Sequence, residues 1–237
     1  MTSTDQVEKI LAKESLNQSD IELLHDYEPY TGKNSIYSFF TPKWLCQIVY
    51  DLAIRNGFDE NSGKVLEPSA GIGNFLSVLK KPEKAVAFEL DSINSQIIER
   101  LYPDVKLYND YFETAFLEKP RMRSRLKKQI TWVEQYPFDL VMTNPPFGLD
   151  WNNAYKSNFK NPKFRKLEAH FMYLSALQLK KGGILAYVTA SSLIRNHYKR
   201  DKENLSRVFD FIDAYRLPDN IFRNTKVPSD IIILKRK

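Results

Sequence analysis

Apolar residues along this chain fall into two rhythms that alternate: short continuous runs bounded by turn residues, and longer stretches with helical spacing. Over residues 5–27, Val7, Ile10 and Leu11 and then Ile21, Leu23 and Leu24 predict one or two amphipathic helices. Residues 42–54 read as a helix with Pro42 in its first turn, where a missing N–H is harmless. Apolar runs at 64–69, 85–90, 105–109, 139–143 and 183–189 predict strands. Between them, Leu76, Val78 and Leu79 mark the buried side of a helix, and a second helix starts near Ser92. Leu167, Phe171, Leu174 and Leu177 place a third over 167–180, with Gly182-Gly183 as its stop signal. A basic helix over 197–208 and strands at 211–217 and 230–234 complete the pattern. Strands alternating with helices predict an α/β fold with a mostly parallel sheet and right-handed crossovers. No helical spacing separates the last two strands, which predicts an antiparallel hairpin at the sheet edge. The sheet domain is expected over 36–237, behind a helical appendage over 1–35.

Composition narrows the function. With 43% hydrophobic residues in 237, the chain can bury one good core. A net charge of +6 and a pI near 9.1 favour a polyanionic partner and disfavour an acidic protein substrate. Cys46 is the only cysteine, and the three histidines have no ligand spacing, so no disulfide and no metal site are expected. No opening segment reads as a signal peptide and no apolar run is long enough for a bilayer, so a cytoplasmic protein without membrane contact is expected.

The strand at 139–143 stops at Asn144-Pro145-Pro146-Phe147. Two prolines forbid helix and continued central strand alike, so the backbone leaves the sheet in a stiff direction. The Asn144 side-chain oxygen and the Pro145 carbonyl can accept hydrogen bonds from an exocyclic amine, and Phe147 can stack on a base swung out of its helix. Asn144 cannot take up a proton at neutral pH, so its expected role is positioning and electrostatic stabilisation. A proline turn with a buried Phe is the plainer reading of the same four residues.

Upstream, the run at 64–69 enters Ala70-Gly71-Ile72-Gly73-Asn74-Phe75, the strand, glycine turn and helix of a nucleotide crevice. Leu76 replaces the third glycine of a phosphate fingerprint, which suits S-adenosyl-L-methionine, a ligand with an ammonium, a carboxylate and a ribose but no phosphate. Glu67 is the candidate for the ammonium, and Pro68, Ser69, Ala70, Gly71, Gly73 and Asn74 line the turn. The next strand ends at Glu89, Leu90 and Asp91, where such folds place the acid for ribose hydroxyls. Glu89 is the better candidate; its alternative is a carboxylate capping the helix near Ser92. Asp110 and Tyr111, on the third unit, can accept from the cofactor's adenine amine and cover its ring, although an Asn-Asp pair after a strand is also an ordinary turn.

The ordered set Phe39-Phe40-Thr41-Pro42, L-E-P-S-A-G-I-G-N-F, F-E-L-D, N-D-Y-F and N-P-P-F resembles the N6-adenine DNA methyltransferases whose cofactor motifs precede the catalytic one. The Y-T-G lead-in and the tail from Arg216 resemble the methylase modules of plasmid and phage helicase-methylase proteins. The resemblance covers nearly the whole chain and implies a Rossmann-like class I S-adenosylmethionine-dependent methyltransferase, a seven-stranded sheet, DNA as substrate and a cofactor contact for Thr41. Family members often carry a target recognition domain after the catalytic one. None is expected here, so a partner subunit is expected to supply sequence recognition. RNA adenine or a protein glutamine amide remains an alternative acceptor, and a non-catalytic cofactor-binding subunit an alternative role.

Three basic segments stand out, at 119–128, 156–166 and 195–202. The second follows the catalytic corner and is expected to hold phosphates through Lys156, Lys160, Lys163, Arg165 and Lys166, with a solvated charge run as its alternative. On the helix beyond, His170 is expected to pack and Glu168 to face solvent.

Overall fold

The computed structural model describes residues 3–28, 40–116, 137–146, 162–195, 198–219, 221–222 and 227–237. Two short helices come first, α1 (Thr4–Leu11) and α2 (Gln18–His25), each opened by a capping box in which Ser3 or Asn17 exchanges hydrogen bonds with the third helical residue. Then follow α3 (Lys43–Arg55), β1 (Val65–Glu67), β2 (Ala85–Phe88), α4 (Ser92–Leu101), β3 (Lys106–Tyr108), β4 (Phe138–Thr143), α5 (Leu167–Gln178), β5 (Leu179–Ala190), α6 (Lys199–Ser206), β6 (Phe209–Arg216) and β7 (Ser229–Arg236).

The strands form one sheet in the order β3-β2-β1-β4-β5-β7-β6. The first five pair in parallel, and β7 lies antiparallel between β5 and β6, which is the expected edge hairpin. β1, β2 and β7 are buried for most of their length, because layers cover both faces of the sheet. On one face α3 packs with Phe75, Leu76, Ile184, Ile231 and Ile233. On the other α5 packs with Phe112, Phe138, Tyr187 and Ile232. A third cluster joins Val7, Ile10, Leu24 and Tyr27 of the N-terminal segment to Ile72 and to Ile97 of α4. No helix among the described residues is long and apolar enough to cross a membrane.

Two expected helices differ. The segment after the glycine turn forms a single 3-10 turn, Leu76–Val78, because Leu79 is already extended and Pro82 follows shortly. The helix that begins at Leu167 ends at Gln178 and passes directly into β5, leaving Gly182-Gly183 inside that strand. There the register jumps from Phe138 opposite Leu179 to Leu140 opposite Ile184, and Gly182 takes a φ of 78°. The glycine pair makes a bulge, which a helical stop and a strand irregularity encode with the same residue type.

Candidate active site

In a sheet of this order, β1 and β4 are paired neighbours whose chains leave in opposite directions, β1 towards β2 and β4 towards β5. A crevice opens at the carboxyl ends of two such strands. Along that edge stand, in spatial order, Asp110 beyond β3, Glu89 beyond β2, Glu67 at the end of β1 and Asn144 beyond β4. The glycine turn after β1 and the proline corner after β4 therefore border one cleft.

The turn itself is held by its own hydrogen bonds. Ala70 N–H donates to the Phe88 carbonyl at 2.9 Å and Gly71 N–H to Glu89 Oε2 at 2.7 Å. Gly71 has a φ of 57°, and a Cβ there would stand 2.8 Å from the Phe40 ring; at Gly73, with φ 86°, it would stand 2.6 Å from Tyr102. The Gly71 N–H, which a glycine turn can offer to a ligand anion, is thus engaged by a carboxylate of the chain. With only a 3-10 turn behind the glycines, no helix N-terminus stands there either. Asn74 Nδ2 donates to the Thr41 carbonyl at 2.9 Å, which ties the stretch before α3 to the turn.

Glu89 is fixed from both sides, since its Oε1 accepts from Asp91 N–H at 2.8 Å. Burial pushes its pKa up to about 7, against the opposing pull of the Asp91 and Gly71 N–H groups. The capping role considered for Glu89 belongs to Asp91, whose side chain accepts from the N–H groups of Ile93 and Asn94. Glu67 is fully buried, and that burial holds its pKa well above the carboxylate range. The Thr143 hydroxyl and the Ser69 backbone favour its charged form, yet neither carboxylate oxygen completes a hydrogen bond among the described residues. The Thr41 and Thr143 hydroxyls and Asn74 Oδ1 are likewise buried without a hydrogen bond. They belong to one neighbourhood: Thr41 meets Asn74, its carbonyl meets the Cys46 thiol at 3.6 Å, and Cys46 lies within electrostatic reach of Glu67. Buried polar atoms in folded proteins are nearly always partnered, so this cluster fits a polar ligand. Leu90 and Tyr111 are 51% and 39% exposed, an apolar pair beside the acids.

A model of the N-6 DNA methylase family matches residues 21–237. The chain belongs to this family. It is 26% identical over 216 residues to the defense against restriction protein B of Escherichia phage P1, covering 87% of this chain and 9% of that one. Its fold is similar to that of a Vibrio vulnificus modification subunit assigned to a type I restriction enzyme, with TM-score 0.68, 18% identity and 98% and 52% of the two chains covered. It is also similar to a Listeria monocytogenes protein assigned to the class I S-adenosylmethionine-dependent methyltransferases, with TM-score 0.63, 13% identity and 97% and 78% covered. The chain thus spans a small part of the curated relative and about half of the Vibrio subunit.

Within this N-6 DNA methylase fold, most of the residues singled out from the sequence meet at one edge. Glu67, Pro68, Ser69, Ala70, Gly71, Gly73, Asn74, Glu89, Leu90, Asp110, Tyr111, Asn144, Pro145 and Pro146 follow or end the strands β1 to β4 at their carboxyl edge, and Thr41 is tied to them through Asn74. Asp110 accepts from the adjacent Tyr111 N–H at 2.9 Å. Phe39, Phe147, Lys156, Lys160 and the segment 119–128 lie outside the described residues. Lys163, Arg165 and Lys166 sit at the start of α5. On α5 itself, His170 packs in the interior, and burial lowers its pKa to about 3. Glu168 is fully buried too, not solvated as expected, because the first turn of α5 is covered by α6 and the segment before it.

Two residues were missed. Asn109, in sequence a turn residue beside Asp110, donates from Nδ2 to Glu89 O at 2.9 Å, Leu90 O at 3.2 Å and Ser95 Oγ at 2.9 Å, locking the loops after β2 and β3 together. Thr143 was read as the last strand residue, yet its hydroxyl faces Glu67. Position one residue before a candidate acid or amide was the only signal for either.

Proposed function

We propose that this chain transfers the methyl group of S-adenosylmethionine to the N6 amine of adenine in DNA. The observation that carries the reading is the shared edge of β1 and β4, where a buried cluster of hydrogen-bond acceptors with open valences borders the Asn144-Pro145 corner in a chain of the N-6 DNA methylase family.

The residues divide the work by chemistry. Ionised Glu67 meets the ammonium of the cofactor's methionine end, which supplies the countercharge that its burial otherwise denies it. Thr41 and Asn74 hydrogen-bond the same end. Glu89, set by Gly71 and Asp91, accepts from the ribose hydroxyls, and Asp110 accepts from the adenine amine while Leu90 and Tyr111 cover that ring. Pro68, Ser69, Ala70, Gly71 and Gly73 give the close backbone approach. When bound, the cofactor supplies an electrophilic sulfonium methyl.

At the corner, the Asn144 oxygen and the Pro145 carbonyl accept from the two N–H groups of the target amine. This draws electron density onto the nitrogen and stabilises the positive charge that grows there during transfer. Asn144 holds no proton in exchange, so the methylated nitrogen releases its proton to water. Phe147 stacks on the extruded base, and Lys156, Lys160, Lys163, Arg165 and Lys166 meet phosphates beside it. A partner subunit supplies the sequence preference, and residues 1–35 form an appendage to the catalytic domain at 36–237.

The test is mass spectrometry of nucleosides from cells expressing the chain. N6-methyladenine is expected in their DNA and absent with Asn144→Ala, whose turnover should fall by about 10²- to 10³-fold, the usual consequence of losing one transition-state acceptor or donor. Calorimetry should show that the variant still binds S-adenosylhomocysteine, because Asn144 acts on the transition state. Absence of labelled methyl on duplex or single-stranded DNA, with and without a specificity subunit, would remove the proposal.

A further inference from the structure

Two of the basic segments, separated in sequence by α5 and β5, are brought together by the fold. β4 delivers the chain to the carboxyl edge of the sheet, α5 starts on that edge and returns, and β5 delivers the chain there again before α6. The starts of α5 and α6 therefore stand side by side on the edge that carries Asn144.

The junction is built from buried polar groups. Asp201 of α6 is 2% exposed, and its carboxylate accepts from the backbone N–H groups of Arg165 at 3.1 Å and Lys166 at 3.2 Å. Asn204 Nδ2 donates to the Lys163 carbonyl at 3.1 Å. These bonds hold the backbone at 163–166, where Phe164 packs into the core while Lys163 and Arg165 stay exposed. The Arg165 guanidinium and the Lys166 ammonium both lie over the Tyr198 ring, 5.8 Å and 5.6 Å from its centroid. Lys199 and Arg200, both exposed, follow Tyr198 directly and open α6. Of the two acids on α6, Asp201 is taken up by the junction, and Glu203 stands 3.9 Å from Lys199. Lys202 has a structural task, donating to the carbonyls of Ile194 and Arg195 at 3.2 Å and 3.3 Å.

Two cations over one aromatic ring and two more at the start of α6 stand close enough to repel one another within a Debye length, and a polyanion laid across them converts that repulsion into attraction. We propose that Arg165, Lys166, Lys199 and Arg200 form a composite phosphate-binding face that grips the DNA backbone flanking the target adenine, with Asp201 as the positioning residue that assembles it. The choice of DNA rests on the methyltransferase reading; the cation cluster does not. The face reads no bases, so it strengthens binding to every sequence alike and leaves selection to other surfaces.

Fluorescence anisotropy of a labelled DNA duplex, titrated with the full chain over a range of salt, tests the face. Each lost phosphate contact lowers the slope of log affinity against log salt by about 1, so Lys199→Gln with Arg200→Gln should lower it by about 2 and Arg165→Gln by about 1. Lys81→Gln with Lys84→Gln removes the same charge from the turn before β2, at the opposite edge, and should leave the slope unchanged. An unchanged slope in the α6 variant, an equal fall in the opposite-edge variant, or a loss confined to duplex RNA would each overturn the proposal. Calorimetry with S-adenosylhomocysteine on the same samples separates the two readings. A chain that grips DNA through these cations but takes up no cofactor product keeps the face and loses the enzyme. A chain that methylates adenine with unchanged slopes loses the face alone.

Discussion

Glu89 carries the sharpest consequence at the scale of single residues. Burial lifts its pKa to about 7, above an ordinary value of 4.5. Across that window the folded chain holds a proton that the unfolded chain has released, so the carboxyl group's contribution to stability declines as pH rises from 4.5 to about 7. With the proposed ribose contact at Glu89, ligand affinity moves the other way, because hydroxyls donate to a charged carboxylate better than to a neutral acid. Affinity for S-adenosylhomocysteine, measured by calorimetry, should rise as pH passes about 7. Glu89→Gln should weaken binding and flatten that rise; a rise that persists in the variant would assign the titration elsewhere. Glu67 differs in kind, since neither of its carboxylate oxygens completes a hydrogen bond among the described residues.

At the scale of elements, the N-terminal helices reach the site through packing. Leu24 of α2 is fully buried in the cluster that contains Ile72 of the glycine turn and Ile97 of α4. The helices thus share a cluster with Ile72 of the turn, and their removal would strip part of its cover. Leu24→Ala should cost about 2–5 kcal/mol in chemical denaturation, as deletions of buried leucine side chains do. It should also weaken binding of S-adenosylhomocysteine, although Leu24 touches none of the proposed ligand contacts; unchanged affinity at reduced stability would show that the turn holds its shape alone. The join between α5 and β5 is an element-scale feature as well. Glycines inside a strand allow a bulge that shifts register without breaking the sheet, so beyond the bulge β5 pairs with β4 from Ile184 to Tyr187 and with β7 from Ile184 to Ala190.

At the scale of the whole molecule, the order β3-β2-β1-β4-β5-β7-β6 sets four acid or amide side chains along a single edge. A ligand spanning that edge contacts several separate chain segments and cannot bind the unfolded chain comparably. Saturating S-adenosylhomocysteine at about 100 times its dissociation constant should therefore stabilise the protein by about 2.7 kcal/mol, read as a rise in the denaturation midpoint. Glu67→Ala should lose most of that rise, and no rise in the unaltered protein would mean that the edge takes no such ligand.

The strands, the edge hairpin and the placing of Glu67, Glu89 and Asp110 at strand ends were legible in the sequence. Each rests on local physics: a buried parallel strand must be apolar, glycine must stand where φ is positive, and proline must end a central strand. Membership of the motif set followed from order alone. The short turn after Gly73 and the bulge at Gly182 were not legible, because a few apolar or glycine residues fit helix and strand equally until neighbouring strands impose a register. Nor were the burial of Glu168, the bonds of Asn109 or the meeting of Arg165 with Tyr198. Those contacts join residues far apart in the chain, and only the tertiary arrangement, which sets β2 beside β3 and the start of α5 beside α6, decides which of them touch.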